Sequence, residues 1–224
     1  MVRRVRRVFE IGAHPKNWVD PSNRGAQNDQ RSRIFDREKL RAERTGRPLS
    51  YVGISPDFAH PTIERRGKVA VRILPGRVQD FPYRIRSGSR DVINVHMISG
   101  KAFEHMNIPA WREEILRILR PGGIFYMTAS YEIGRDVYAL FRSLSPDPRI
   151  RMKVAAIDFQ GDPKIPGFTH RGDTIYDRQG VMGSRSWYAL DGTKFPRDVI
   201  NFLSLYTDYT DSAEMIFIFQ KAKK

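Results

Sequence analysis

The sequence lacks cysteine, and it also lacks any long uncharged apolar run. Without cysteine the chain has no disulfide framework, no thiolate zinc site and no cysteine nucleophile. A membrane-spanning helix needs about 18 apolar residues in succession, and no stretch approaches that length. The basic amino-terminal segment has no apolar run behind it, which argues against a secretory signal peptide. We therefore expect a cytoplasmic protein without a membrane partner, and the scattered histidines predict no metal site.

Acidic residues are few compared with basic ones. The 224 residues include 39 Lys and Arg against 25 Asp and Glu, for a net charge of +14, and 29 of the basic residues are arginines. The guanidinium group binds phosphate in a fork geometry and stacks on bases. Nucleic acid is therefore the expected partner. A GC-rich genome or the surface chemistry of a thermophile would give the same composition, so that alternative stays open.

Short apolar segments alternate with amphipathic ones along the chain. We expect strands at residues 7–11, 49–54, 68–73, 91–95, 124–128, 151–157 and 214–220. We expect helices at residues 31–44, 109–119, 133–144 and 195–205. This alternation predicts an α/β fold, with a mostly parallel seven-stranded sheet and helices on both faces. Ligands of such sheets bind at the carboxyl ends of the strands, here at a switch point just after the first strand.

We expect a single domain over residues 1–224, with an inserted lobe at about 158–205. This lobe interleaves arginines with aromatic residues, among them Phe168, Tyr176, Trp187 and Tyr188. Such a mixture suits stacking on unpaired bases. The alternative is a surface lobe whose aromatic residues form a small core of their own.

Four segments carry a resemblance to the class I S-adenosylmethionine-dependent methyltransferases. They read VFEIG at 8–12, YVGISP at 51–56, DVINVHMI at 91–98 and LRILRPGGIFYMT at 116–128. The last is the most specific, because it resembles the family's helix, Pro-Gly-Gly turn and strand. The resemblance implies a Rossmann-like sheet whose last strand is antiparallel, with S-adenosylmethionine as the cofactor and methyl transfer as the activity.

The resemblance implies a cofactor-binding turn after the first strand. In the family this turn is small, so that backbone N–H groups can approach the methionine carboxylate of the cofactor. Residues of this chain that match the segment are Glu10, Gly12, Ala13 and His14. Glu10 and Gly12 agree with the family pattern, whereas His14 stands where a further glycine is usual.

The resemblance also implies contacts from the later strands. Ser55 stands where the family has an acid that accepts hydrogen bonds from the ribose, and Asp57 could substitute for it. Arg77 stands where an adenine-facing Asp is common, beside Val78. Asn94 lies in the fourth-strand segment and completes the expected cofactor site.

A second resemblance concerns residues 12–18, GAHPKNW, which are similar to the GAxPGGW turn of the RNA ribose 2′-O-methyltransferases. Those enzymes use a Lys–Asp–Lys–Glu tetrad that brings the substrate hydroxyl close to deprotonation. Lys153 and Glu214 match the third and fourth places, and the first Lys has no match in this chain. The resemblance implies a catalytic Lys153 and makes RNA the favoured acceptor.

His96 follows the fourth strand, where the family carries out its chemistry on the methyl acceptor. A neutral imidazole there could take a proton from a hydroxyl or a ring nitrogen, so we expect His96 to be catalytic. The alternative is a histidine that only packs under the cofactor. A second reading of the whole chain also stays open, as an inactive methyltransferase-like protein that binds nucleic acid or serves as an assembly subunit. The oligomeric state is likewise open.

Overall fold

The computed structural model describes residues 4–12, 32–56, 58–96, 106–130, 147–158, 187–189 and 214–223. These parts of the chain contain nine strands and two helices. In chain order they are β1 (Arg6–Ile11), α1 (Arg33–Thr45), β2 (Leu49–Ser55), β3 (Thr62–Arg66), β4 (Val69–Pro75), β5 (Arg90–Val95), α2 (Ile108–Ile118), β6 (Leu119–Ser130), β7 (Ile150–Asp158), β8 (Trp187–Ala189) and β9 (Glu214–Lys221).

All nine of these strands form one sheet, in the order β3-β4-β2-β1-β5-β6-β9-β7-β8. β1 pairs in parallel with β2 and β5, and parallel pairing continues to β4 on one side and to β6 on the other. β9 lies antiparallel between β6 and β7, and β3 and β8 are antiparallel to their neighbours. The predicted α/β fold, with its mostly parallel sheet and late antiparallel strand, is confirmed.

The sheet has nine strands rather than seven because two short strands were missed at its edges. β3 pairs antiparallel with β4, and none of its five side chains is buried. β8 has three residues and pairs with the end of β7. An edge strand of this kind buries little apolar surface and is often charged. Hydrophobic periodicity therefore carries almost no signal for it.

The two described helices cover opposite faces of the sheet, as predicted. Ile34 and Phe35 of α1 pack in one core cluster with Val8 of β1. Trp111 and Ile115 of α2 pack in the other cluster, on the opposite face of the same strand. Alternate residues of β1 thus face α1 and α2, which is why Val8, Phe9 and Ile11 are all buried.

The Pro-Gly-Gly turn differs from the prediction in its position relative to β6. α2 ends at Ile118 and β6 begins at once with Leu119, so residues 121–123 lie inside the strand. The pairing of β5 with β6 shifts register across this stretch, and Gly122 has a φ of +74°. Lys221 of β9 donates from Nζ to the carbonyl oxygens of Leu116 (2.6 Å) and Leu119 (2.9 Å), which satisfies the end of α2.

Two expectations lie mostly or wholly outside the described residues. The helices expected at 133–144 and 195–205 fall there entirely. The lobe expected at about 158–205 falls there except for Asp158 and β8, and β8 adds to the edge of the main sheet.

The segment 76–89, which follows β4, is anchored to α2 by buried hydrogen bonds. Glu114 accepts from the backbone N–H of Tyr83 at 2.7 Å and from Nε of Arg117 at 2.6 Å. The Tyr83 hydroxyl donates to the Val78 carbonyl at 2.5 Å and accepts from Trp111 Nε1 at 3.0 Å. These contacts fix the position of the residues that leave the carboxyl end of β4.

Replacement of Glu114 by Ala should lower the free energy of unfolding by about 2 kcal/mol, because the buried Tyr83 N–H loses its acceptor. Glu43→Ala on α1 is the control: that side chain is 51% exposed and forms an i,i+4 ion pair with Lys39 at 3.4 Å, and exposed ion pairs contribute about 0–1 kcal/mol. Urea denaturation of both variants measures the difference. Equal losses would contradict the anchoring role of Glu114.

A group of ion pairs joins α2 to the start of β7. Arg149 contacts Glu113 at 2.6 Å and Asp147 at 2.7 Å, and Arg112 contacts Asp147 at 3.4 Å. Hydrogen bonds from Arg149 are the main reason why the pKa values of Glu113 and Asp147 are both lowered to about 2. The ion pairs therefore hold the residues before β7 to α2 at neutral pH.

Because folding depresses these two pKa values, their stabilisation is fully present above the unfolded carboxyl pKa of about 4. It is lost as the pH falls towards the folded pKa of about 2. We expect Arg149→Gln to show a smaller loss of stability than the unmodified protein over this window, measured by urea denaturation at stepped pH. Arg151→Gln, at an exposed position two residues on, should behave like the unmodified protein. An unchanged acid response in Arg149→Gln would refute the assignment.

Candidate functional site

The switch point lies where the sequence predicted it, at the carboxyl end of β1. β1 has β2 on one side and β5 on the other, so the chain order along the sheet reverses at this strand. Gly12 donates its backbone N–H to the Ile54 carbonyl of β2 at 3.0 Å, and His96 donates to the Ile11 carbonyl at 2.9 Å. The ends of β1, β2 and β5 are thus tied together at the edge where ligands of parallel sheets bind.

Gly12 is required at this point by both conformation and space. Its φ is +91°, a value that residues with a side chain rarely adopt. A Cβ built on it would lie 2.5 Å from the carbonyl oxygen of His96. The chain can therefore come this close to β5 only if residue 12 is glycine. No side chain then covers the backbone of residue 12.

Glu10 lies two residues before this turn and is fully buried. Its carboxylate accepts hydrogen bonds from the Ser32 hydroxyl, from the Tyr51 hydroxyl at 2.5 Å and from Asn94 Nδ2 at 2.6 Å. We call these four residues the Glu10 cluster. The donors come from the start of α1, from β2 and from β5, so one carboxylate joins four elements of the fold.

Two opposing effects act on the ionisation of Glu10: its burial and its hydrogen bonds. Burial raises the pKa of Glu10 above its ordinary value, and the hydrogen bonds from Ser32, Tyr51 and Asn94 oppose that shift. Ser32 is also the N-cap of α1, where its Oγ accepts from the Phe35 N–H at 2.9 Å. The positive end of the helix dipole therefore lies beside the carboxylate and favours its charged form.

The turn after β4 contributes a carboxylate that sequence reasoning missed. Asp80 is exposed, and it accepts from the Arg77 N–H at 2.7 Å while its own N–H donates to the Arg77 carbonyl at 3.1 Å. The two residues expected near the adenine differ from each other in burial: Arg77 is exposed and Val78 is buried. The sequence does contain a signal for this turn: residues 75–80 read PGRVQD, and an Asp three residues after position 77 is typical of a residue that closes a turn.

His96 lies at the end of β5 and is 3% exposed. Its Nδ1 lies 3.4 Å from the hydroxyl of Thr128 on β6. The imidazole is therefore held within the edge of the sheet rather than presented on an open surface.

The structure does not bring Lys153 close to His96. Lys153 is paired through Phe219 and Phe125 to Ile93, which lies three residues before His96 on β5. Three strand spacings, about 14 Å, separate Lys153 from Ile93, and three residues along β5 add about 10 Å in the strand direction to reach His96.

The remaining predicted site residues fall into two groups. Ser55 is fully buried at the end of β2, and its carbonyl accepts from the Gly76 N–H at 3.2 Å. Ala13, His14 and Asp57 lie outside the described residues. The structure thus places Glu10, Gly12, Ser55, Asn94 and His96 around one switch point.

No helix in the described part of the chain is long and apolar enough to cross a membrane. Within those same residues, no group of three or more His, Asp or Glu side chains could hold a metal ion.

The sequence matches no protein-family model and no curated protein. Solved structures do match the chain. A chain of the complex between the Haloferax volcanii Trm112 methyltransferase activator and the putative methyltransferase is 18% identical, over 99% of this chain and 84% of that one, with a TM-score of 0.41. An S-adenosylmethionine-dependent methyltransferase of Thermotoga maritima, a possible histamine N-methyltransferase, is 12% identical, over 96% of this chain and 82% of its own, with a TM-score of 0.41.

An antibiotic-related methyltransferase is 12% identical, over 96% of this chain and 88% of its own, with a TM-score of 0.43. Several of the structural neighbours are described as methyltransferases, two of them as S-adenosylmethionine-dependent. At these TM-scores the assignment of the fold depends on the strand order and not on the neighbours.

Gly12→Ala should lower the free energy of unfolding by about 3 kcal/mol, because left-handed strain of about 1–2 kcal/mol adds to a steric overlap of similar size. Gly67→Ala is the matched control, since Gly67 has a φ of +56° but nothing within 4 Å of its added Cβ. Chemical denaturation compares the two variants. A Gly12 variant as stable as the Gly67 variant would show that β1 and β5 do not approach each other in this way.

Proposed function

We propose that this chain is a class I S-adenosylmethionine-dependent methyltransferase whose acceptor belongs to nucleic acid, RNA in particular. The cofactor would bind in the crevice at the carboxyl ends of β1, β4 and β5. The observation that carries this proposal is the glycine turn at the switch point, where Gly12 admits no side chain. Nucleotide-type ligands bind beside such turns because their polar groups can reach the backbone N–H groups directly.

Among the described residues, Gly12 and Asp80 support binding of the cofactor. Gly12 ends β1 without a side chain, and Asp80 supplies an exposed carboxylate that could accept the N–H groups of an adenine. Asn94 Oδ1 has no hydrogen-bond partner among the described residues, and because Asn94 is fully buried this oxygen is an acceptor for a buried water. Ser55 is fully buried, so no ribose contact is assigned to it.

When bound, the cofactor supplies an electrophilic methyl group on its sulfonium. The residues of this chain hold the reactants in place. Glu10 acts as a positioning residue, because its hydrogen bonds fix the end of β1 relative to α1, β2 and β5. His96 would take the proton from the acceptor. Since His96 is 3% exposed, the acceptor has to enter the crevice to reach it. No role is assigned to Lys153.

The charge of the chain supports a nucleic-acid acceptor. A net charge of +14 attracts polyanions over long range and raises their local concentration. Arginine makes up most of the basic residues and suits phosphate and base contacts better than lysine does. The preference for RNA derives from the resemblance of residues 12–18 to the ribose methyltransferase turn.

A second function is favoured by the burial of two expected contact residues. Ser55 is fully buried and His96 almost so, and neither offers a polar surface to a ligand in this structure. A chain that retained the fold without these contacts would bind nucleic acid or serve as an assembly subunit without transferring a methyl group.

Calorimetry with S-adenosylhomocysteine decides between the two functions. We expect binding, and we expect Asp80→Asn to weaken it about tenfold, because one charged hydrogen bond is lost. Asn can still accept from the Arg77 N–H, so the turn should persist. Glu43→Gln, at an exposed site on α1, should bind as the unmodified protein does. If no heat of binding is measured at millimolar S-adenosylhomocysteine, the enzymatic proposal is wrong and the second function, binding without methyl transfer, is favoured.

Transfer of labelled methyl groups to RNA, DNA and protein substrates tests the acceptor. Label in RNA supports the proposal as stated. Label found only in protein, or only in DNA, would overturn the choice of RNA while leaving the cofactor site unaffected.

A further inference from the structure

A pocket lies at the amino ends of the parallel strands, on the side of the sheet opposite to the switch point. It contains empty space of about 420 Å³, part of it open to solvent. Five arginines line it: Arg4, Arg6, Arg41, Arg47 and Arg120. They come from the start of β1, the end of α1, the residues before β2 and the start of β6. We call this the basal pocket. Six residues of β1 separate it from the switch point, a distance of about 20 Å.

Two carboxylates in the basal pocket are already neutralised. Glu38 pairs with Arg6 at 2.8 Å and with Arg37 at 3.2 Å, and its side chain is fully buried. Asp91 pairs with Arg120 and also accepts from a backbone N–H at 2.6 Å. These ion pairs hold Arg6 and Arg120 in place as the floor of the pocket.

Three arginines of the pocket form no ion pair with a described residue, although the charge of Arg41 helps to lower the pKa of Glu38. Arg4, Arg41 and Arg47 are exposed and form no ion pair or side-chain hydrogen bond with any described residue. The pocket lining therefore carries five guanidinium groups against two carboxylates, an excess of three positive charges. The carboxyl end of α1 lies beside the pocket and contributes the equivalent of about half a negative charge. That opposing effect is smaller than the excess.

We propose that the basal pocket binds a phosphate group. Guanidinium groups bind phosphate oxygens through paired hydrogen bonds. Arg4, Arg41 and Arg47 approach the pocket from three separate segments of the chain. The phosphate could belong to a nucleic-acid strand or be free in solution, and the chemistry of recognition is the same. This inference does not depend on the proposed methyl transfer, because the pocket shares no residue with the switch point.

The test uses the full chain with Arg41 and Arg47 both replaced by Gln. Both side chains are exposed and outside the ion pairs of the floor, so the fold should persist, which circular dichroism and the Tm check. The matched control is Arg65→Gln with Arg72→Gln, two exposed arginines of β3 and β4 outside the pocket. The probes are inorganic phosphate, measured by calorimetry, and a labelled single-stranded RNA, measured by fluorescence anisotropy at several salt concentrations.

We expect the Arg41 and Arg47 double variant to weaken phosphate or RNA binding by about tenfold for each arginine, relative to the control variant. If the phosphate belongs to a strand, the slope of log affinity against log salt should also fall by about two. Weakened phosphate binding with unchanged RNA binding would identify free phosphate as the ligand. The proposal is wrong if both probes bind this variant and the control variant equally well.

Binding of S-adenosylhomocysteine to the same double variant keeps the two proposals apart. It should equal that of the unmodified protein, because the basal pocket lies at the other edge of the sheet. If the unmodified chain does not bind S-adenosylhomocysteine, the proposed function is wrong. The proposed phosphate site is unaffected by that result.

Discussion

The buried carboxylate of Glu10 is the constraint on which the site depends. A charge removed from water loses several kcal/mol of solvation unless the protein replaces its hydrogen bonds. Here the replacements come from Ser32, Tyr51 and Asn94, on three different elements. α1, β2 and β5 must therefore keep their positions around the end of β1 for the carboxylate to remain satisfied. The geometry of the switch point follows from this requirement.

The two edges of the sheet have different chemistry, and the direction of the strands explains why. At the carboxyl ends, Gly12 closes against the backbone of His96 and Asp80 presents an exposed carboxylate. At the amino ends, arginines at the starts of β1 and β6 meet the arginine-rich end of α1. Parallel strands place all their starts at one edge, so residues far apart in the chain accumulate there.

Much of the fold could be predicted from local pattern. The seven longer strands are rich in Val, Ile and Phe because both faces of the sheet are covered by helices, and α2 shows one apolar stripe. β3 is not predictable from apolar periodicity because none of its side chains is buried, and β8 is not because three residues are too few to show a period. The Pro-Gly-Gly segment was assigned to a turn, although register slippage against β5 accommodates it inside β6. That accommodation depends on the neighbouring strand and has no local signal.

The same division applies to the site. Local sequence was enough to place Glu10 and Gly12 at the end of the first strand and to predict the switch point beside them, because apolar periodicity and a glycine turn are local properties. It could not show that Glu10 points into the core, that Ser55 is buried or that Asp80 accepts from the Arg77 N–H. It also could not show that Arg4, Arg41 and Arg47 share one pocket. Burial and convergence depend on contacts between residues distant in the chain, and only the packed sheet creates them.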